Sequence, residues 1–255
     1  MILRKSAEEI EKIRAAGAIV RRTLDAMRDA IVPDVTTTAD LERVAANEIT
    51  RHGATSAFLG YAPAGQPPYP AWTCISVNEV VIHGIPGNRV LQEGDVVSCD
   101  VGVRLDGYYA DAAWSYPVGR VSPEIEKLLK VGEEALYAGI AQARPGNHVG
   151  DIGYAIEKLV RRAGFEVVRE MVGHGVGRSL HEPPQIPNHG KRGHGPLLEE
   201  GATLAIEPMI MMGCRNIAVL PDGWTIVSGN GKPSVHFEHT VAVTANGARI
   251  LTQGD

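Results

Sequence analysis

This chain of 255 residues is short of several things, and each shortage narrows what it can do. It has three cysteines, Cys74, Cys99 and Cys214. An odd, widely spaced set is neither a disulfide framework nor a zinc finger. It suits a reducing compartment, so a cytoplasmic location is expected. No run of about 18 apolar residues offers a membrane span. The opening stretch MILRKSAEEIEKIRAAG lacks the apolar core of a secretory signal. Positive charge is not in excess either: 25 Lys and Arg stand against 30 Asp and Glu, a net of -5. That balance gives no sign of a nucleic-acid or anionic-membrane partner. The helix faces carry no apolar stripe beyond what one core needs, so a monomer is expected. What is plentiful is histidine in one place. Of nine, six fall between His174 and His239. Clusters of this kind serve more often as ligands or acid/base groups than as packing, with a solvated tract as the bland alternative.

Ser6 and Glu9 form a capping box, and apolar residues from Ile10 to Ile31 recur at three and four. A helix is predicted to about residue 32, stopped by Pro33. A second helix begins near Thr37 or Thr38 and ends at Gly53. Residues 61–70, YAPAGQPPYP, read as a rigid loop. Short strands follow at 73–77 and 80–83, then a hairpin. Ser122-Pro123 opens a third helix, and a fourth ends at Gly164. Strands are predicted again at 165–171, 202–212, 224–227 and 235–243. Two helices and then strands therefore occur twice. The stretch LQEGDVVSCD before and including Asp100 lines up with LEEGATLAIE ending at Glu207. The economical reading is α+β, a duplicated ααββ unit (roughly 6–120 and 121–250) closing round a shared antiparallel sheet. The repeat sets Glu207 where Asp100 stands.

The hairpin is the stretch with chemical content. Val97, Cys99, Val101 and Val103 alternate with Ser98, Asp100, Gly102 and Arg104, the period of a half-buried strand. Asp106-Gly107 signals a two-residue turn. Counting back from it sets Gly102 opposite Asp111 and Asp100 opposite Ala113, so both acids share one face. They are two solvated acids, or a cation neutralises them, or one keeps a proton. Glu207 and Glu238 also lie in apolar strands, where an unpartnered acid is costly. His174 sits among the glycines of VGHGVG, expected to let the backbone bend. Four carboxylates and one imidazole are a hard donor set. It suits a pair of divalent ions such as Mn²⁺, Fe²⁺, Co²⁺ or Zn²⁺.

Five motifs carry a resemblance over nearly the whole chain. They are NEVVIHGIP (78–86), SCDVGVRLDGYYADAAWSY (98–116), GHGVGRSLHEPPQIPN (173–188), AIEPM (205–209) and FEHTVAVT (237–244). The chain resembles the type I methionine aminopeptidases of the bacterial kind. The resemblance implies the pita-bread fold as one catalytic domain, and removal of the N-terminal methionine from nascent proteins when the second residue is small. It implies metal ligands Asp100, Asp111, His174, Glu207 and Glu238, with Asp111 and Glu238 shared between two ions. His83 and His181 match two histidines beside the substrate. Glu207 matches the acid that also moves a proton. Asn78, Val80 and Ser234 match positions that hold a monovalent cation, Na⁺ or K⁺. The methionine pocket falls, by match, on Phe58, Tyr61, Tyr69, Cys74 and Trp224, for which ordinary core packing is the bland alternative. Leu180 stands where relatives often carry an aromatic residue, and the 61–69 loop is longer than in compact relatives. Nascent chains are the implied partner, with the ribosome in support.

Prolidases and aminopeptidases P share the fold and the five ligands. They usually carry a further N-terminal domain, whereas the first helix here starts at Ser6. A binding module that has lost catalysis is the other alternative, and it predicts missing ligands. His52, His148 and His236 have weaker claims to a role. His189 and His194 lie in a Gly- and Lys-rich loop and read as solvated, and His239 as a core histidine.

Overall fold

The structure is a computed structural model, and it describes residues 2–254. In the first half, α1 (Ala7–Asp29) and α2 (Thr38–Arg51) precede β1 (Thr55–Ser56), β2 (Cys74–Val77), β3 (Val80–Ile82), β4 (Val96–Leu105) and β5 (Tyr108–Pro117). In the second, α3 (Pro123–Ile140) and α4 (Val149–Ala163) precede β6 (Glu166–Val167), β7 (Val172–Gly175), β8 (Glu182–Pro187), β9 (Thr203–Ile206) and β10 (Met209–Met211). The chain closes with β11 (Ile217–Val219), β12 (Ile226–Ser228), β13 (Ser234–His236), β14 (His239–Thr244) and β15 (Gly247–Ile250). Among the described residues no helix is long and apolar enough to cross a membrane.

The helices begin where their caps dictate. The Ser6 hydroxyl accepts from the Glu9 N–H and the Glu9 carboxylate accepts from the Ser6 N–H, and Thr37 and Asp40 repeat the arrangement on α2. The first helix ends at Asp29, short of the expected residue 32. The reason is Thr36, whose hydroxyl donates to the Ala30 carbonyl at 2.7 Å and accepts from the Val32 N–H at 3.0 Å. That closes a turn before Pro33 is reached. The Gly164 backbone, at φ 88°, stops α4.

Among the described residues all strand pairs are antiparallel, in four sheets. Strands β4 and β5 pair from Val96↔Pro117 to Leu105↔Tyr108, with Gly102↔Asp111 and Asp100↔Ala113 as counted from the turn. Val97, Cys99, Val101 and Val103 are buried against Ile13, Val20, Leu24 and Met27 of α1. Each such side chain contributes about 1.5–3 kcal/mol by leaving water. The second core joins α3 and α4 to β9 and β14 through Leu128, Leu136, Ile152, Ile156, Leu204 and Val241. The β5 edge meets the second half directly: the Glu238 N–H donates to the Ala113 carbonyl at 2.8 Å and the Asp111 N–H to Thr240 Oγ1 at 3.1 Å.

Three strand expectations need correcting. The run 165–171 yields two strand residues, Glu166–Val167, on the edge of β10. The runs 202–212 and 235–243 are each broken, at Glu207-Pro208 and at Phe237-Glu238. The breaks fall in step, between Ile206↔His239 of one ladder and Met209↔His236 of the next. Pro208 has no N–H to continue a ladder. Strands β7 and β8 were not expected at all. Three prolines hide β8, but it lies on a sheet edge, where proline is tolerated.

Candidate metal centre

Asp100 and Asp111 point from one face of the β4–β5 hairpin toward the second half. Their face is not wet: the Asp111 side chain is 4% exposed. His174 reaches the same place from β7, wedged between β8 and β9. A Cβ on Gly173 would lie 2.4 Å from the Ala205 carbonyl oxygen, and one on Gly175 would lie 2.3 Å from that of Pro183. Close approach, rather than the expected bend, is what these glycines provide. Glu207 and Glu238 come from the paired gap between ladders. Three side chains from strands β4, β5 and β7 and two from the gap thus line one floor.

The contacts there are specific. His174 Nε2 lies 3.4 Å from Asp111 Oδ2 and 3.5 Å from Glu207 Oε1. Its Nδ1 is 2.9 Å from the Gly175 carbonyl oxygen, which can only accept. A neutral His174 therefore carries its proton on Nδ1 and aims a lone pair at the acids. One ligand atom each from Asp111, His174 and Glu238 lie within 4.8 Å of one another. Thr240 Oγ1, fully buried, lies 3.0 Å from Asp111 Oδ1 and 2.8 Å from its backbone oxygen. The Asn188 amide donates to the Glu207 carbonyl at 3.0 Å.

Crowded carboxylates away from water resist ionising. Burial, then Asp111 and Glu207, push Asp100 well above the usual carboxylate range. Burial and the neighbouring acids do the same to Glu238. Burial lifts Glu207 to about 8, although His174 pulls it down. Burial works against a charged His174, but Asp111 and Glu207 outweigh it and hold the ring near 9. Asp100 Oδ1 is buried without a hydrogen-bond partner among the described residues. A buried carboxylate oxygen left unmet is costly, and a cation is what four acids and an imidazole are built to meet. The donor set fits divalent ions of the first transition row.

Above the floor is a cavity of about 260 Å³. Phe58, Tyr61, Tyr69, Cys74, His83, His181 and Trp224 all line it with the four acids and His174. Tyr69, Cys74 and Trp224 are buried and form one apolar cluster, with Phe58 and Tyr61 packed on it. Trp224 stands edge-on to Tyr69, ring centroids 5.1 Å apart. Two carboxylates outside the cavity hold this wall. Glu42 accepts from the Trp72 and Thr73 N–H groups, and Asp222 from those of Trp224 and Thr225. His83, at φ 57°, is buried enough that its pKa falls to about 4. His181 stands at the mouth, its ring edge-on to His174 at 4.3 Å, and burial in the wall together with His174 moves its pKa down. Asn78, Val80 and Ser234 are elsewhere, behind β13: Ser234 Oγ lies 3.1 Å from the Asn78 carbonyl oxygen and 3.2 Å from that of Val80.

A model of metallopeptidase family M24 matches residues 11–245. The chain belongs to metallopeptidase family M24. A methionine aminopeptidase of Clostridium perfringens is 47% identical over 99% of both chains. Within M24, the crystal structure of a methionine aminopeptidase from Thermotoga maritima superposes with a TM-score of 0.95, 44% identity and 99% of each chain covered. The prolidase of Pyrococcus furiosus has a TM-score of 0.78 at 23% identity, with 66% of its chain covered, and shares the fold. That fold is the pita bread of M24. As an M24 metallopeptidase the chain is a hydrolase that uses divalent metal and acts on peptides.

Several cavity and support residues were not expected from sequence: Pro63, Gln66, Ile82, Met171 and Val172 in the wall, and Thr240 and Asn188 behind the acids. Thr240 had a signal, a polar residue facing inward from an apolar strand.

Proposed function

We propose that this M24 enzyme removes the N-terminal methionine from nascent proteins whose second residue is small. One juxtaposition carries the reading: the acid and histidine floor lies directly under the apolar wall of Tyr69, Cys74 and Trp224 in a single cavity. The methionine aminopeptidase of Clostridium perfringens, alike over its full length, supports it. Asp100, Asp111, His174, Glu207 and Glu238 are the proposed ligands of two divalent ions, drawn from Co, Mn, Fe and Zn. Such ions, when bound, polarise the scissile carbonyl and make water acidic enough to attack near neutral pH.

The chain's own groups do the rest. Glu207 accepts a proton from the attacking water and delivers it to the leaving nitrogen. His181 donates a hydrogen bond to the carbonyl oxygen as negative charge grows there. His83, neutral at pH 7 with a pKa of about 4, orients the substrate backbone. A thioether packs well on aromatic edges and a buried thiol, so Tyr69, Cys74 and Trp224, with Phe58 and Tyr61, form the methionine pocket. The Asn78 and Val80 carbonyls and the Ser234 hydroxyl form a site for Na⁺ or K⁺. The enzyme works as a cytoplasmic monomer close to the ribosome.

The test uses metal-stripped enzyme refilled with Co²⁺ or Mn²⁺. Methionine is released from Met-Ala-Ser but not from Met-Leu-Ser, Ala-Pro-Ser is spared, and Asp111→Asn abolishes release. Cleavage of Ala-Pro-Ser instead would place the chain with the aminopeptidases P.

A further inference from the structure

The Tyr61 hydroxyl lies 2.5 Å from His181 Nδ1, with the two rings tilted at 60° and their centroids 5.1 Å apart. This phenol has no other hydrogen-bond partner in the protein among the described residues. We propose that Tyr61 is a positioning residue that fixes the tautomer of His181. Its O–H donates to Nδ1, so Nε2 keeps the proton and presents an N–H to the cavity.

The chemistry of the two groups decides the direction. A neutral imidazole has one donor and one acceptor nitrogen. Its bare nitrogen is a much better acceptor than a phenol oxygen, whose lone pair is drawn into the ring. A phenolic O–H in turn is a strong donor. The short contact is therefore best satisfied as O–H···Nδ1. His181 forms no ion pair among the described residues, and its nearest ring neighbour is His174. No other contact among the described residues sets which nitrogen carries its proton. With the opposite tautomer, Nε2 would offer a lone pair to a carbonyl oxygen and repel it.

Both partners are held from behind, so their meeting is not a chance contact of two free side chains. Tyr61 forms the neck of the proline-rich loop. Its N–H donates to the Phe58 carbonyl at 2.8 Å, and its own carbonyl accepts from the Tyr69 N–H at 2.8 Å. On the other side, the Glu182 carboxylate accepts from the Arg178 and Ser179 N–H groups at 2.7 and 3.1 Å, and its second oxygen meets Lys5 Nζ at 2.5 Å. That clasp sets the backbone of His181 without touching its ring. The hydroxyl of Tyr61 supplies what the clasp cannot, the choice between two protonated nitrogens. The use made of the N–H rests on the aminopeptidase reading above; the tautomer does not.

The test is a ¹⁵N long-range correlation spectrum of full-length, histidine-labelled protein loaded with diamagnetic Zn²⁺, with His181→Gln used to assign the ring. A pyridine-like Nδ1 and a pyrrole-like Nε2 are expected. In Tyr61→Phe, which keeps the ring and loses only the hydroxyl, both signals should move toward the average of two tautomers. Zinc content and melting temperature should stay at wild-type values. On Met-Ala-Ser with the Co²⁺ enzyme, kcat should fall about tenfold with KM within about twofold, as expected for a contact used in the transition state. A proton on Nδ1 in the wild type, or an unchanged His181 spectrum in Tyr61→Phe, overturns the proposal. If the spectrum moves as expected but no methionine is released even by the wild type, the tautomer assignment stands and the aminopeptidase reading falls.

Discussion

Thr240 offers the sharpest test of how the floor is held. Its hydroxyl is fully buried, accepts from the Asp111 N–H at 3.1 Å, and donates to Asp111 at either its backbone oxygen or Oδ1. Thr240→Val keeps the shape and removes both bonds. The stranded N–H costs about 1–3 kcal/mol of folding stability. Loss of the bond to Oδ1 leaves the Asp111 carboxylate free to rotate, and a lost partner of a ligand typically lowers metal affinity about 10–100-fold. Chelator competition with Mn²⁺ reads the affinity, and urea denaturation of the metal-free protein reads the stability. Thr240→Ser separates packing from bonding: it loses a methyl group, about 0.5–1.5 kcal/mol, and should keep the affinity. If Thr240→Val binds Mn²⁺ as tightly as the wild type, the hydroxyl does not orient Asp111 and the reasoning fails.

Four further outcomes are expected. Lys5 and Glu182 form a buried ion pair with side chains 0% and 3% exposed. Lys5→Met should cost about 3–5 kcal/mol by thermal melting, with part recovered in the Lys5→Met/Glu182→Gln double variant. At pH 7 the metal-free site holds protons on Glu207, near 8, and on His174, near 9, so metal loading should release protons in calorimetry across buffers of different ionisation heat. Glu207 is raised from 4.5 and destabilises increasingly as pH climbs from 4.5 to about 8; the stability His174 gives below 6.5 is lost by about 9. Melting temperature of the metal-free protein should therefore fall over that range. Gly173→Ala places a Cβ against the Ala205 carbonyl and should displace β7; an unchanged metal stoichiometry would show that His174 tolerates the shift.

The parts of this fold that were legible are those whose signals are local. The Asp106-Gly107 turn fixes the hairpin register by itself, and with it the shared face of Asp100 and Asp111. Caps at Ser6, Thr37 and Ser122 mark helix starts for the same reason. What could not be read depends on a partner strand. A break at Glu207-Pro208 has its meaning only beside the break at Phe237-Glu238, some thirty positions on. Strand β7 is four residues, two of them glycine, and is strand only because β8 and β9 flank it. The proposed metal ligands and methionine-pocket residues come from the family resemblance, and one cavity is lined by all of them. The bond from Tyr61 to His181 spans 120 positions and leaves no periodicity to find.

The paired gap has a mechanical side. It divides what would be one long ladder into two short ones, β9–β14 and β10–β13, joined across the seam by a single long bond, Phe237 N–H to the Pro208 carbonyl at 3.3 Å. A sheet flexes most easily where its rungs are missing. Glu207 and Glu238 are mounted at that interruption, Glu238 tied by its N–H to the Ala113 carbonyl of β5, whereas Asp100 and Asp111 ride on an unbroken ladder. With its one bond long and no rung beside it, the Phe237 amide should exchange with solvent sooner than those of the strands on either side.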